Sequence, residues 1–347
     1  MTSNQSIISK EMQIVLAIVI TIAASITLYM RLKKTTPPLS PMAVCLDEMA
    51  HIPEIGGLMK SQAREEAVDS QPLQGVELAL TFNGMIRSKS LEDDIDYWCA
   101  DEDRVENLDH LIRALNENQI PPTVDFVVGQ SLDGSMVEHW LQSGNLIGNM
   151  TYSRLKAKNR DPQEFIADVN LNDQTLQPFL DKHPSGQKYF RYPRLKVSRD
   201  QQARGQIQEY LKSKGYIEAM ATIDMPDNQF SNIYCAAKAR GDETCARLVK
   251  ENYKMLLLDK TLKTRKAARQ RTGYEVKLIV TFAMSQLTCD FMGEILNWYK
   301  SLGVKFITLD EALRDPLYST LDEKGRPIAR AILRETRRMQ VESMNAK

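Results

Sequence analysis

The stretch that decides the fold is "LALTFNG" (Leu78–Gly84), and "GNMTYSR" (Gly148–Arg154) has the same look further along. In the first, an apolar run ends in Asn-Gly, the signal of a strand entering a tight turn. Both read as places where a strand end presents side chains to a site, yet neither holds a strong metal ligand. Working outward, "VENLDHLIRALNENQI" places Val105, Leu108, Leu111, Ile112 and Leu115 at helical spacing. "PPTVDFVVG" follows as a second strand, after prolines that stop the helix.

The alternation continues through helices over 134–143, 162–180, 198–214, 232–271 and 289–302, with strands "NLIGN", "KYFRYP", "YIEAMATID", "VKLIVTF" and "VKFITLD" between and after them. A chain that trades strand for helix this often predicts a mostly parallel α/β sheet covered by helices, open or closed into a barrel.

Lys+Arg and Asp+Glu both total 45 in 347 residues, so no global charge draws the protein to nucleic acid. The four histidines include no i,i+4 pair, which argues against a zinc site made of imidazoles alone. The five cysteines include no CxxC and read as buried or inert thiols rather than a disulfide framework.

Residues 12–30, containing "IVLAIVITIAASITLYM", carry no charge over about the 20 residues a membrane-crossing helix needs. They are expected to form a transmembrane anchor behind a short tail, 1–11, and ahead of a Pro-rich linker, 31–72. Arg31, Lys33 and Lys34 outweigh Lys10, a charge bias towards a cytoplasmic domain. The folded domain is expected over 73–320 and a solvated basic tail over 321–347.

Chemistry in such sheets collects at the carboxyl ends of the strands. Read in order, those ends offer Asn83 and Gly84, then Asn149, Met150 and Arg154, then Arg191 and Pro193, then Asp224 and Asp227, then Phe282. Asp224 and Asp227 are the only carboxylates in that set, and they are expected to meet Arg154 and Arg191 in a salt-bridged floor. Arg191 beside Asp227 would hold the carboxyl below its usual range.

With those positions in view, the order of motifs resembles the polysaccharide deacetylase family, the NodB-homology or carbohydrate esterase family 4 group. The resemblance runs from about Gly75 to Tyr318 and implies a distorted (β/α) barrel. It further implies removal of acetyl groups from polysaccharides such as chitin or peptidoglycan by a divalent metal held by Asp-His-His. The family's TFDDG corresponds to "TFNGM", with Asn83 at the catalytic base and Gly84 at the metal-binding Asp. GNHTYSH corresponds to "GNMTYSR", with Met150 and Arg154 at the two metal histidines. The Arg-x-Pro motif stands as Arg191 and Pro193, Asp227 stands without the usual following Trp, and Phe282 takes the place of the catalytic acid His.

The resemblance therefore implies a deacetylase scaffold stripped of ligands, base and acid, with Arg191 and Asp227 left to orient a base that is absent. The leading expectation is a catalytically inactive, membrane-anchored glycan-binding or scaffold protein with no cofactor. One alternative is an active divergent deacetylase with a zinc-like ion and a relocated site drawn from Asp96, His110, His139, Asp224 and Asp227. The other is a structural subunit of a membrane complex. Trp98, Tyr152 and Tyr192 are the expected sugar-stacking rings, with Tyr97 and Tyr189 as neighbours. Expected partners are a cell-envelope polysaccharide and, through 12–30, membrane lipid; the resemblance tips the expected location outward, to the periplasmic or extracellular side.

Overall fold

The computed structural model describes residues 41–55, 71–84, 99, 104–158, 160–182 and 186–345. Among the described residues eight strands form one sheet: β1 (Glu77–Asn83), β2 (Val124–Val127), β3 (Leu146–Asn149), β4 (Lys188–Phe190), β5 (Tyr216–Glu218), β6 (Ile223–Asp224), β7 (Leu278–Ala283) and β8 (Lys305–Ile307). Every pairing is parallel, in the order β5-β4-β3-β2-β1-β7-β6, while β8 pairs with the first half of β1.

This order forces the sheet to curl. The two ends, β5 and β6, are joined by only Ala219–Thr222, a link that reaches roughly 18 Å when fully extended. Six strand spacings in a flat sheet would hold those ends about 29 Å apart. The result is a curled half-barrel whose seam lies between β5 and β6. The stretch "YIEAMATID", expected as one strand, is thus two short ones at opposite ends of the sheet.

Helices wrap the outside: α1 (Pro41–Ala50), α2 (Arg104–Glu117), α3 (Gly134–Gln142), α4 (Pro162–Lys182), α5 (Gln201–Ser213), α6 (Asp227–Ala239), α7 (Glu243–Thr272) and α8 (Gln286–Ser301). The chain closes with the short α9 (Leu309–Leu313) and α10 (Pro316–Ser319), then α11 (Ile328–Asn345). α2 buries Leu108, Leu111, Ile112 and Leu115 as its spacing predicts, but Val105, placed on the same stripe, is 47% exposed at the first turn. The helical region expected over 232–271 starts earlier and breaks at Gly241, where φ is +66°. Asp242 then caps α7, accepting a hydrogen bond from Cys245 N at 3.0 Å, a cap worth about 1 kcal/mol.

Three expectations are corrected here. Residues 321–347 hold α11, not a solvated tail: Ala329, Ile332, Leu333, Thr336 and Gln340 recur at helical spacing and are buried, and the Thr336 and Thr264 hydroxyls meet at 3.2 Å against α7. Four cysteines pair as Cys45–Cys245 and Cys99–Cys235, leaving only Cys289 as a buried thiol. These bridges close loops of 200 and 136 residues, a constraint on the unfolded chain of up to about 5 kcal/mol each. Finally, among the described residues no helix is long and apolar enough to cross a membrane. The segment 12–30 lies outside the described residues, and the single-pass membrane assignment is withdrawn.

Candidate functional site

Side-chain alternation builds the floor of the site. Along β1 and β7, Thr81, Asn83 and Thr281 turn into the barrel, while Phe82 and Phe282 turn out towards the helices. There Phe82 and Phe282 lie 6.2 Å apart, with Trp140 5.8 Å from Phe82 and Tyr253 6.4 Å from Phe282. Phe282 is therefore core packing and does not line the cleft, despite its place at the family's catalytic acid.

Into the space between Thr81, Asn83 and Thr281 runs Arg191, 1% exposed, from the end of β4. Its Nη1 donates towards Thr81 Oγ1 (2.9 Å), Thr281 Oγ1 (2.9 Å) and Asn83 Oδ1 (3.0 Å), and its Nε donates to the Ala219 carbonyl (2.8 Å). The guanidinium lies 3.8 Å from the centre of the Phe126 ring, an attraction between cation and ring face. One side chain thus ties β1, β7 and the chain after β5 together across the barrel. Burial pushes the guanidinium down to about 9, against the pull of Asp224 and Asp125, so it is still a cation at neutral pH. Its partners are all neutral oxygens, and Nη2 has no hydrogen-bond partner among the described residues.

The acidic pair is arranged differently from the expected salt-bridged floor. Asp227, at the start of α6, accepts hydrogen bonds from the Tyr253 hydroxyl and from Ala283 N (2.7 Å). Neither partner is a cation, and burial pushes the carboxyl up to about 8. The direction is opposite to the one expected from Arg191, and burial favours the neutral acid. Asp224, at the end of β6, pairs at 2.5 Å with Arg337 of α11 instead of with Arg154 or Arg191.

The "GNMTYSR" loop separates into residues that hold the backbone and residues that face the cleft. A Cβ on Gly148 would meet the Phe126 ring at 2.7 Å and the Tyr189 carbonyl at 3.1 Å, so the strands approach only with glycine here. Asn149 fills all its bonds: Nδ2 donates to Val169 O (3.0 Å) and Tyr216 Oη (2.9 Å), while Oδ1 accepts from Thr151 N (2.8 Å) and Asn172 Nδ2 (2.9 Å). That clamp holds Thr151 at φ +65°, a costly conformation for a β-branched residue. Met150 and Arg154 line the cleft, Arg154 at φ +61°, and its buried Nε has no hydrogen-bond partner among the described residues.

The expected sugar-stacking rings are not brought to the cleft. Tyr192 is 2% exposed and stacked on Phe165, centroids 5.9 Å apart, so it is core. Tyr152 is half-buried and absent from the cleft wall; its backbone bonds to Asp168 O and Gln130 N. Tyr189 is buried. Trp98, with Tyr97 and Asp96, lies outside the described residues. His139 bonds to Asp109 at 2.5 Å, joining α3 to α2, and neither it nor the exposed His110 lines the cleft.

The cleft has a volume of about 420 Å³ at the carboxyl ends of the strands and includes Asn83, Gly84, Met150, Arg154, Asp224 and Asp227 in its wall. Sequence reasoning missed Arg194, Lys196, Glu54, Lys260 and Arg337, which also line it. Arg194 was within reach, because it sits inside "FRYPRL" directly after the Arg-x-Pro motif; Lys260 and Arg337 come from long helices and carried no local signal. A divalent metal does not fit this donor set. Gly84 offers no side chain, Met150 a soft thioether and Arg154 a positive charge, whereas such ions want several anionic or imidazole donors. The wall's carboxylates are engaged elsewhere, Glu54 lying 3.9 Å from Lys260, and among the described residues no three His, Cys, Asp or Glu side chains gather in a metal-holding group.

The site is thus a curled parallel half-barrel with its cleft at the strand ends, opened by Thr-Phe-Asn-Gly and Gly-Asn-Met-Thr-Tyr-Ser turns. The family model for polysaccharide deacetylase matches residues 79–216. The match covers about two-fifths of the chain, from β1 to the start of β5. Among solved structures it is similar to a carbohydrate esterase family 4 pseudoenzyme from Bacillus anthracis, at 12% identity and a TM-score of 0.43, over 74% of this chain and 80% of that one. It is also similar to a family 4 acetyl xylan esterase from Clostridium thermocellum in complex with cobalt, at 18% identity and 0.40, over 68% and 90% of the two chains. A family 4 carbohydrate esterase from Streptomyces lividans in complex with acetate matches at 12% identity and 0.42, over 69% and 96%. At such scores these likenesses decide nothing about chemistry. Among curated proteins no match is found.

Proposed function

We propose that the domain binds a polysaccharide without hydrolysing it. The observation that carries this reading is the cleft wall: where the resembled family holds its metal, it presents Gly84, Met150 and Arg154. Metal-assisted hydrolysis needs a water activated by an ion and a base to take its proton. Asn83 is an amide that accepts from Arg191 at 3.0 Å and has no basic lone pair to offer. Asp227 is enclosed by Tyr253 and Ala283, and burial raises its carboxyl well above the usual carboxylate range. The glycan half of the proposal draws on the family match and on a ligand-sized cleft, and fold alone does not carry function.

The test is acetate release from acetylated chitooligosaccharides by the full chain, with zinc or cobalt added and with chelator. The expected result is release no faster than buffer in every condition. Turnover that chelator abolishes and that Asp227→Ala removes would overturn the non-hydrolytic reading.

A further inference from the structure

We propose that the cleft takes an anionic saccharide, a sugar unit bearing a carboxylate or phosphate group, held by Arg154 on one loop and Lys196 on another. This rests on the glycan-binding reading and names the chemical class of the glycan. The first ground is the charge of the wall. Five cationic side chains line it, Arg154, Arg194, Lys196, Lys260 and Arg337, against three carboxyls. Two of those carboxyls already sit beside cations, Asp224 by Arg337 at 2.5 Å and Glu54 by Lys260 at 3.9 Å. The third, Asp227, is buried and already accepts from the Tyr253 hydroxyl and Ala283 N, and burial favours its uncharged form.

The second ground is the unanswered donor. Arg154 lines the cleft, and its Nε, itself buried, has no hydrogen-bond partner among the described residues, so that edge of the guanidinium is not tied to a protein acceptor. Guanidinium groups present planar forks that suit carboxylate and phosphate oxygens. Lys196 stands among like charges: burial and the nearby Arg194, Lys158, Arg337 and Lys156 all push its ammonium downward, and a bound anion would relieve that repulsion. The third ground is the backbone. Arg154 and Arg194 are held at φ +61° and +54°, and strain of this kind in non-glycine residues clusters at ligand clamps.

The cleft's 420 Å³ lies within the roughly 300–1,000 Å³ of small-ligand sites. A chain of sugars running past it, with one charged unit seated inside, matches both its size and its sign.

The experiment is titration calorimetry of the full chain with four probes: a galacturonate trimer, N-acetylglucosamine 6-phosphate, neutral chitotriose and inorganic phosphate. One charged saccharide is expected to bind at least about tenfold tighter than chitotriose, with affinity falling as salt rises. Arg154→Gln and Lys196→Gln are each expected to weaken that probe about tenfold, as the loss of a charge-assisted hydrogen bond does, and to leave chitotriose unchanged. Which charged sugar binds distinguishes carboxylate from phosphate. Lys196 is exposed, so its variant keeps the test open if Arg154→Gln misfolds. Equal binding of chitotriose, insensitive to both variants, overturns the anionic class and spares the glycan reading. Inorganic phosphate binding as tightly as the charged sugars also overturns it, as an anion site with no sugar selectivity. Binding of no saccharide overturns the glycan reading itself, and this inference with it.

Discussion

Asn149 and Arg191 lie beneath the cleft and bond to strands on several sides, whereas Met150 and Arg154, from the same "GNMTYSR" loop as Asn149, sit on its lip and bond to little. The floor joins β1, β3 and β7 with the chain after β5 through four hydrogen bonds from Arg191 and four through Asn149. The lip offers a thioether, a guanidinium with an unanswered Nε, and the neighbouring Arg194 and Lys196. Positions that fix the backbone and positions that carry chemistry alternate within single motifs. A fold can therefore keep the residues that hold its motifs in place while the residues on the lip vary independently.

The sharpest way to break this contrast is to empty the floor. Arg191→Met leaves Thr81, Thr281, Asn83 and the Ala219 carbonyl without their shared donor. It is expected to cost about 3–5 kcal/mol in urea denaturation, because several buried acceptors lose their donor at roughly 1–3 kcal/mol each. Arg154→Ala at the lip removes a half-buried side chain whose Nε makes no hydrogen bond among the described residues and is expected to cost under about 1 kcal/mol. Equal costs would erase the distinction. Next in size is Gly148→Ala, whose added methyl meets the Phe126 ring and the Tyr189 carbonyl; overpacking of this kind costs about 1–3 kcal/mol, read as a lowered urea midpoint with unchanged slope.

A pH series sharpens the same contrast on the acidic side. The unfolded chain gives up the Asp227 proton near pH 3.9, but the folded chain holds it up to about 8. The folded state thus binds more protons in between, so stability is greatest below that window and declines as pH rises to about 8. Burial pushes Glu218 up to about 7, which adds a decline ending earlier. Asp227→Asn is expected to remove the part that ends near pH 8 and leave the Glu218 part. A small effect is also expected from Met150→Leu, a volume-conserving change on the cleft wall costing under about 1.5 kcal/mol and leaving the fold intact by circular dichroism.

Much of the architecture was legible in the sequence, because strand runs and helical spacing are local signals. The curl was not, since it depends on "YIEAMATID" dividing between the two ends of the sheet. α11 was legible in principle: Ala329, Ile332, Leu333 and Thr336 recur at helical spacing, but the arginines between them read as a solvated tail. At the site, Asn83, Gly84, Met150, Arg154, Asp224 and Asp227 do share one cleft with Arg191 beneath it. Phe282 and Tyr192 do not, because strand parity and ring stacking, which require tertiary partners, turn them into the core. The ionisation of Asp227 was read in the wrong direction for the same reason. Spacing could not reveal that Tyr253, from a helix far along the chain, reaches the carboxyl while Arg191 turns to neutral oxygens. Nor could five scattered cysteines announce which four would pair.

The central claim is that the lip of this barrel cannot grip a divalent ion. It is tested most directly by metal analysis of the full chain after equilibration with zinc, cobalt or nickel and removal of free ion. The account predicts far less than one ion per chain, unchanged in Asp224→Ala and Asp227→Ala. One tightly held ion per chain, lost when either carboxylate is removed, would contradict it.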